Sequence, residues 1–95
     1  MKNRRTSRFK EMFGKLPADI QERAKKAFQV FVESPTHPAL NLHPLSDTRG
    51  NPSGSRSVSI SIHYRAVYFI DDEGFNVWYW IGSHSDYDKQ FGKNR

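Results

Sequence analysis

The chain has 95 residues, no cysteine, and 15 Lys and Arg against 10 Asp and Glu, for a net charge of +5. That length supports one small core, read here as a single domain over 1–95, and the missing cysteines exclude disulfides and thiolate metal sites. No apolar run approaches the ~20 residues of a membrane span, and the basic start Met1-Lys2-Asn3-Arg4-Arg5 lacks the apolar stretch of a signal peptide, so a soluble, cytoplasmic protein with no membrane partner and an anionic ligand is expected.

Residues 1–6 are charged and polar and read as a flexible start. Phe9, Met12, Phe13 and Leu16 then follow the i, i+3, i+4, i+7 spacing of one apolar stripe, with Ser7 as the N-cap and Gly14 as an early stop. A second helix is predicted from Pro17 to Glu33. Ile20, Ala24, Ala27, Phe28 and Phe31 share its apolar face, Gln21, Glu22, Lys25, Lys26 and Gln29 its solvent face, and Ser34-Pro35 its end. The two helices make an antiparallel pair.

From Ala39 to Leu45, Leu40 and Leu42 alternate with Asn41 and His43, an edge strand closed by Pro44. Ser46 to Ser55 has loop composition. Ser57-Val58-Ser59-Ile60-Ser61-Ile62 alternates strictly, a strand with a serine row on its wet face. Residues 65–71 and 75–82 are the last two strands, apolar on both faces as central strands are. The sum is an α+β fold: two N-terminal helices packed on one face of a four-stranded, mainly antiparallel sheet, on the face opposite Ser59.

The last two strands form a hairpin across Asp71-Asp72-Glu73-Gly74. With a tight turn at Asp72-Glu73 or Glu73-Gly74, Arg65 lies opposite Trp80 or Gly82, and side-chain alternation puts it on the face of His84. Only an odd-numbered loop breaks that parity. Tyr87 follows His84 by a turn's spacing, so Arg65, His84 and Tyr87 converge.

Tyr64-Arg65-Ala66-Val67-Tyr68 followed by Trp78-Tyr79-Trp80-Ile81-Gly82-Ser83-His84-x-x-Tyr87-Asp88 resembles the RelE/ParE superfamily of bacterial toxins. The likeness extends upstream through Phe9-Lys10 to Leu16-Pro17, Phe28 to Pro35 and His37-Pro38-Ala39-Leu40, and so covers roughly residues 7–91. It implies the RelE-like fold and the toxin of a type II toxin–antitoxin pair. Such a toxin acts as an endoribonuclease that cuts mRNA on the ribosome and inhibits translation, with an acidic antitoxin as its protein partner.

Metal-independent RNA cleavage needs proton transfer from the 2′-hydroxyl, proton transfer to the departing 5′-oxygen, and a cation against the phosphorane. His84 suits either proton step, Arg65 the phosphate, and Tyr87 a proton, the phosphate or a stacked base. Each also has a structural reading: a strand-end cap for His84, ring packing for Tyr87, an ion pair with Asp86 or Asp88 for Arg65. His43 stands where such toxins often carry a lysine, which implies RNA contact. His63 marks a strand bend, and His37 belongs to a turn. The histidines lack zinc spacing, so no metal and no cofactor is expected. Trp78 and Trp80 fit core positions more often than a base-stacking platform.

One departure stands out. Relatives place a basic residue at what is here Ser59. Arg49, Arg56 or the basic N-terminus are the candidates to replace that cation, Arg49 and Arg56 as RNA contacts. The same departure keeps two other readings open: a ParE-like inhibitor that binds DNA gyrase without chemistry, and a non-toxic basic RNA-binding regulator on the same fold.

Overall fold

The computed structural model describes residues 2–45 and 50–92. Along the chain run β1 (Lys2–Arg5), α1 (Ser7–Gly14), α2 (Ala18–Glu33), a 3₁₀ turn (Pro38–Leu40), β2 (His43–Pro44), β3 (Arg56–Ser61), β4 (Tyr64–Ile70), β5 (Phe75–Ser83) and α3 (His84–Phe91). The sheet has five strands in the order β1-β5-β4-β3-β2, with β1 parallel to β5 and the other pairs antiparallel. The α+β class and the three central strands match the sequence reading. The strand and helix numbers do not: β1 and α3 are additions to the expected four and two.

β1 is the run read as flexible. It is basic because it is an edge strand, where charge costs little and discourages further pairing. Its order comes from backbone pairing to β5 and from Asn3, whose Oδ1 accepts from Trp78 Nε1 (3.0 Å) and Asn76 Nδ2 (3.2 Å). The guanidinium of Arg4 lies 4.2 Å from the centre of the Phe75 ring. Thr6, rather than Ser7, caps α1, its hydroxyl accepting from Phe9 N at 3.1 Å. Gln21, assigned above to the solvent face, instead donates to the Phe13 and Leu16 carbonyls at 3.2 and 3.1 Å, satisfying acceptors left free where α1 ends.

The edge strand expected over 39–45 shrinks to His43–Pro44. Pro38 begins a 3₁₀ turn capped by His37 Nδ1, which accepts from Ala39 N at 3.0 Å, and Asn41 leaves it with a left-handed φ of 46°. Asn is among the few side chains that tolerate this region.

The sheet is covered on both sides. Phe9, Ala24, Phe31, Leu40, Val58, Ala66, Tyr68, Trp78 and Ile81 form the core under α1 and α2. Leu45, Val67, Trp80, Tyr87 and Phe91 form a second core under α3. The expected helical stripe therefore packs on the face opposite Ser59, except that Phe28 remains 40% exposed.

Hairpin parity is kept by two offsetting irregularities. Asp71 N bonds Phe75 O at 2.9 Å, leaving the odd loop Asp72–Gly74, with Gly74 at a φ of 86° that favours glycine. Further along, Val67 pairs with Trp80 but Tyr68 with Trp78, so Tyr79 is an extra residue in β5. This bulge restores the register and sets Arg65 opposite Gly82. It also sends Trp78 and Trp80 to opposite faces, both 3% exposed, which makes them core residues of the two layers.

Candidate functional site

On the α3 side of the sheet, cross-strand partners share a face, so Ser57, Val67 and Trp80 line up, with Ser59, Arg65 and Gly82 in the next row. Gly82 leaves room for its neighbour: a Cβ there would stand 3.0 Å from Cη2 of Trp80, a contact tight enough that the indole would have to shift by a few tenths of an ångström. The indole thus lies flat along β5 and receives Tyr87 and Phe91 edge-on, at 5.9 and 5.4 Å between ring centres.

β5 passes directly into α3. Ser83 caps the helix, its hydroxyl accepting from Asp86 N at 3.1 Å, and His84 N donates to His63 O at 2.6 Å. His84 therefore stands at the first turn of a helix that is fixed to the β3–β4 bend. Its ring is held by Asp88 one turn on, with Nδ1 3.5 Å from Oδ2, and its side chain stays 44% exposed. A carboxylate on Nδ1 orients the ring and leaves Nε2 for chemistry. The helical spacing of His84 and Asp88 was legible in the sequence, but only once 84–91 is read as a helix.

Tyr87 points inward. It is fully buried, and its hydroxyl has no hydrogen-bond partner among the described residues. Its ring lies 5.3 Å from Cζ of Arg65 and 5.8 Å from the His84 ring. Arg65 is thus held between an aromatic face and Ser57, whose Oγ accepts from Nη1 at 3.4 Å, while its Nε is buried without a partner. Among the described residues no carboxylate forms an ion pair with Arg65, and Asp88 is committed to His84. Arg65, His84 and Tyr87 are brought together, in the order arginine, tyrosine, histidine.

The other expected contacts are scattered. His43 pairs with Ser57 and so shares the Arg65 face; its Nδ1 lies 3.2 Å from Asn41 O, and its Nε2 is buried without a partner. Arg56 pairs with Tyr68, whose side chain is in the core under α1 and α2, so it belongs to the opposite face. Arg49 lies outside the described residues. Among the described residues no three His, Cys, Asp or Glu side chains are grouped to hold a metal ion.

Sequence reasoning missed the support behind this row. Ser57 is fully buried and holds Arg65. Ser55, also fully buried, bonds the Tyr79 hydroxyl at 2.6 Å, and Gln90 Nε2 donates to Asn51 Oδ1 at 2.8 Å, so residues 50–55 are fastened to β5 and α3. Burial raises the Tyr79 pKa above 10.0; the Ser55 hydrogen bond partly offsets this, and the nearby Tyr87 adds to the rise.

No protein-family profile and no curated protein sequence matches the chain. Solved structures do. YafQ from E. coli superposes with a TM-score of 0.70 at 12% identity, over 90% of this chain and 94% of that one. A chain of the intact E. coli RelBE toxin–antitoxin complex gives 0.58 at 25% identity, over 85% and 93%. A chain of the RelBE2 toxin–antitoxin complex from Mycobacterium tuberculosis gives 0.64 at 26% identity, over 87% and 96%. Taken with the ordered run from Tyr64-Arg65 to His84-x-x-Tyr87, these likenesses show that the chain belongs to the RelE/ParE superfamily of toxin–antitoxin toxins.

Proposed function

We propose that the protein is the toxin of a type II toxin–antitoxin pair and a metal-independent endoribonuclease acting on mRNA, with the ribosome positioning the strand, in the cytoplasm. The observation that carries this reading is the row Arg65–Tyr87–His84 on one sheet face. Arg65 takes the non-bridging oxygens of the scissile phosphate in its guanidinium fork. The 2′-oxygen attacks phosphorus as its proton leaves, the bond from phosphorus to the 5′-oxygen breaks to give a 2′,3′-cyclic phosphate and a 5′-hydroxyl, and His84 transfers the proton at one of these two oxygens while water exchanges it at the other. Tyr87, buried as it is, acts through its ring by positioning Arg65.

The acidic antitoxin is supported by a different surface. Between α1, α2 and the sheet lies a groove of about 620 Å³, with Phe13, Ala27, Phe28 and Ile60 among its apolar walls and Arg5 and Lys25 beside them. An amphipathic acidic segment gains both burial and charge neutralisation there. Inducing the protein alone in cells tests the reading: rapid loss of full-length transcripts with unchanged DNA supercoiling is expected. Altered supercoiling with intact mRNA would mean gyrase inhibition instead, and neither effect a non-toxic regulator.

A further inference from the structure

β3 is covered on its outer side for only part of its length. β2 pairs with Arg56 and Ser57 and stops there. Leu45 N bonds Ser55 O at 2.9 Å, and antiparallel alternation then turns the backbone groups of Ser57 and Ser59 toward the β2 side. Ser57 has His43 opposite it; among the described residues no strand stands opposite Ser59. A pocket of about 230 Å³ sits at this opening, with Arg23 and Lys26 of α2 and Ser59 among its walls. Four other basic side chains of the described residues, Arg4, Lys15, Lys25 and Arg65, have a salt-bridge or hydroxyl partner. Arg23 and Lys26 have neither an ion pair nor a hydrogen bond among the described residues. Two unpaired cations thus face an open strand edge from the α1–α2 side, and Ser59 at that edge is the direct cross-strand neighbour of Arg65, which lies on the other face of the sheet.

We propose that Arg23, Lys26 and the Ser59 edge form a second phosphate subsite, which holds the backbone of single-stranded RNA where the strand passes round the open edge of β3 from the face that carries Arg65. The inference rests on the nuclease reading above and extends it. Two exposed cations and an outward strand N–H recognise phosphate oxygens without reading bases, so the subsite sets register and affinity, not sequence preference.

The test is the salt dependence of binding of fluorescent twelve-residue oligouridylate and oligoadenylate to the protein carrying His84→Ala, which prevents turnover. Adding Arg23→Ala and Lys26→Ala is expected to weaken both oligomers alike and to lower the log–log salt slope by about 1.4, since each single-strand phosphate contact contributes about 0.7. The charge-matched control, Lys10→Ala with Lys15→Ala, removes two exposed lysines that line neither pocket and is expected to leave the slope in place. An equal fall in slope in the control assigns the effect to net charge and overturns the subsite. So does an unchanged slope in the Arg23/Lys26 variant when Arg65→Ala still weakens binding. If that variant instead loses an acidic protein partner, the cations belong to a protein interface. No RNA binding by the His84→Ala parent overturns the subsite, whereas the nuclease reading, in which the ribosome positions the strand, falls only if induction leaves transcripts intact.

Discussion

Tyr87 shows how the element that carries a residue decides what its side chain meets. The spacing His84-x-x-Tyr87 put a phenol beside a histidine, but the helix that produces this spacing also turns the ring under Arg65 and into the second core. An unpartnered buried hydroxyl is a liability of about 1–3 kcal/mol. Tyr87→Phe is therefore expected to keep RNA cleavage within a few-fold and to leave the melting temperature equal or higher. Tyr87→Ala is expected to cost about 3–5 kcal/mol by cavity formation and to release Arg65. Equal losses of activity in both variants would give the hydroxyl a direct role. Ser57→Ala probes the other side of Arg65: phosphate affinity should fall with the fold intact. Tyr79 makes a pH prediction. Its folded pKa is raised above 10.0 by burial, so the neutral phenol is the form the fold favours. That contribution is complete below pH 10 and is lost as pH rises through the folded value, because the unfolded chain gives up the proton first. Alkaline unfolding should begin at lower pH in the parent than in Tyr79→Phe, with no difference in this respect near neutrality.

At the scale of elements, legibility followed periodicity. α2 declared itself through Ile20, Ala24 and Phe31, which bury one face of the helix, and β3 through its strict alternation, although Ser57 of the row read as wet is fully buried beside Arg65. β1 did not, since an edge strand of four residues with three basic side chains has no apolar period to read. α3 was hidden for another reason. Tyr87 and Phe91 are spaced as a helix, but they follow a long aromatic strand without a break, and only Ser83 marks the change. The hairpin parity was right because the bulge at Tyr79 cancelled the odd loop, a compensation that no sequence pattern exposed. The importance of β1 can be measured through Asn3, which satisfies two side-chain donors of β5. Asn3→Ala should destabilise the protein by about 1–3 kcal/mol by stranding the Trp78 indole N–H. A loss near zero would mean that β1 frays in solution, as the sequence alone implied.

In the whole molecule, the sheet separates two surfaces. The Arg65–His84 row lies on the α3 side, and the apolar groove beside Phe28 lies on the α1–α2 side. A partner seated in the groove alone leaves the row open, so silencing the activity requires a second segment that passes round an edge or a change transmitted through the sheet. Phe28→Asp places a carboxylate in that groove and is expected to weaken capture of the acidic partner while cleavage by the free protein persists; unchanged capture would move the partner elsewhere. The central claim, that Arg65 and His84 form a nuclease centre, is tested most directly by the rate of transcript cleavage in purified translating extract. His84→Ala and Arg65→Ala proteins are compared with the parent at matched melting temperature. The rate should fall by ~10²-fold or more for His84→Ala, with Arg65→Lys only partly restoring what Arg65→Ala loses. Parent-like cleavage by His84→Ala would contradict the claim.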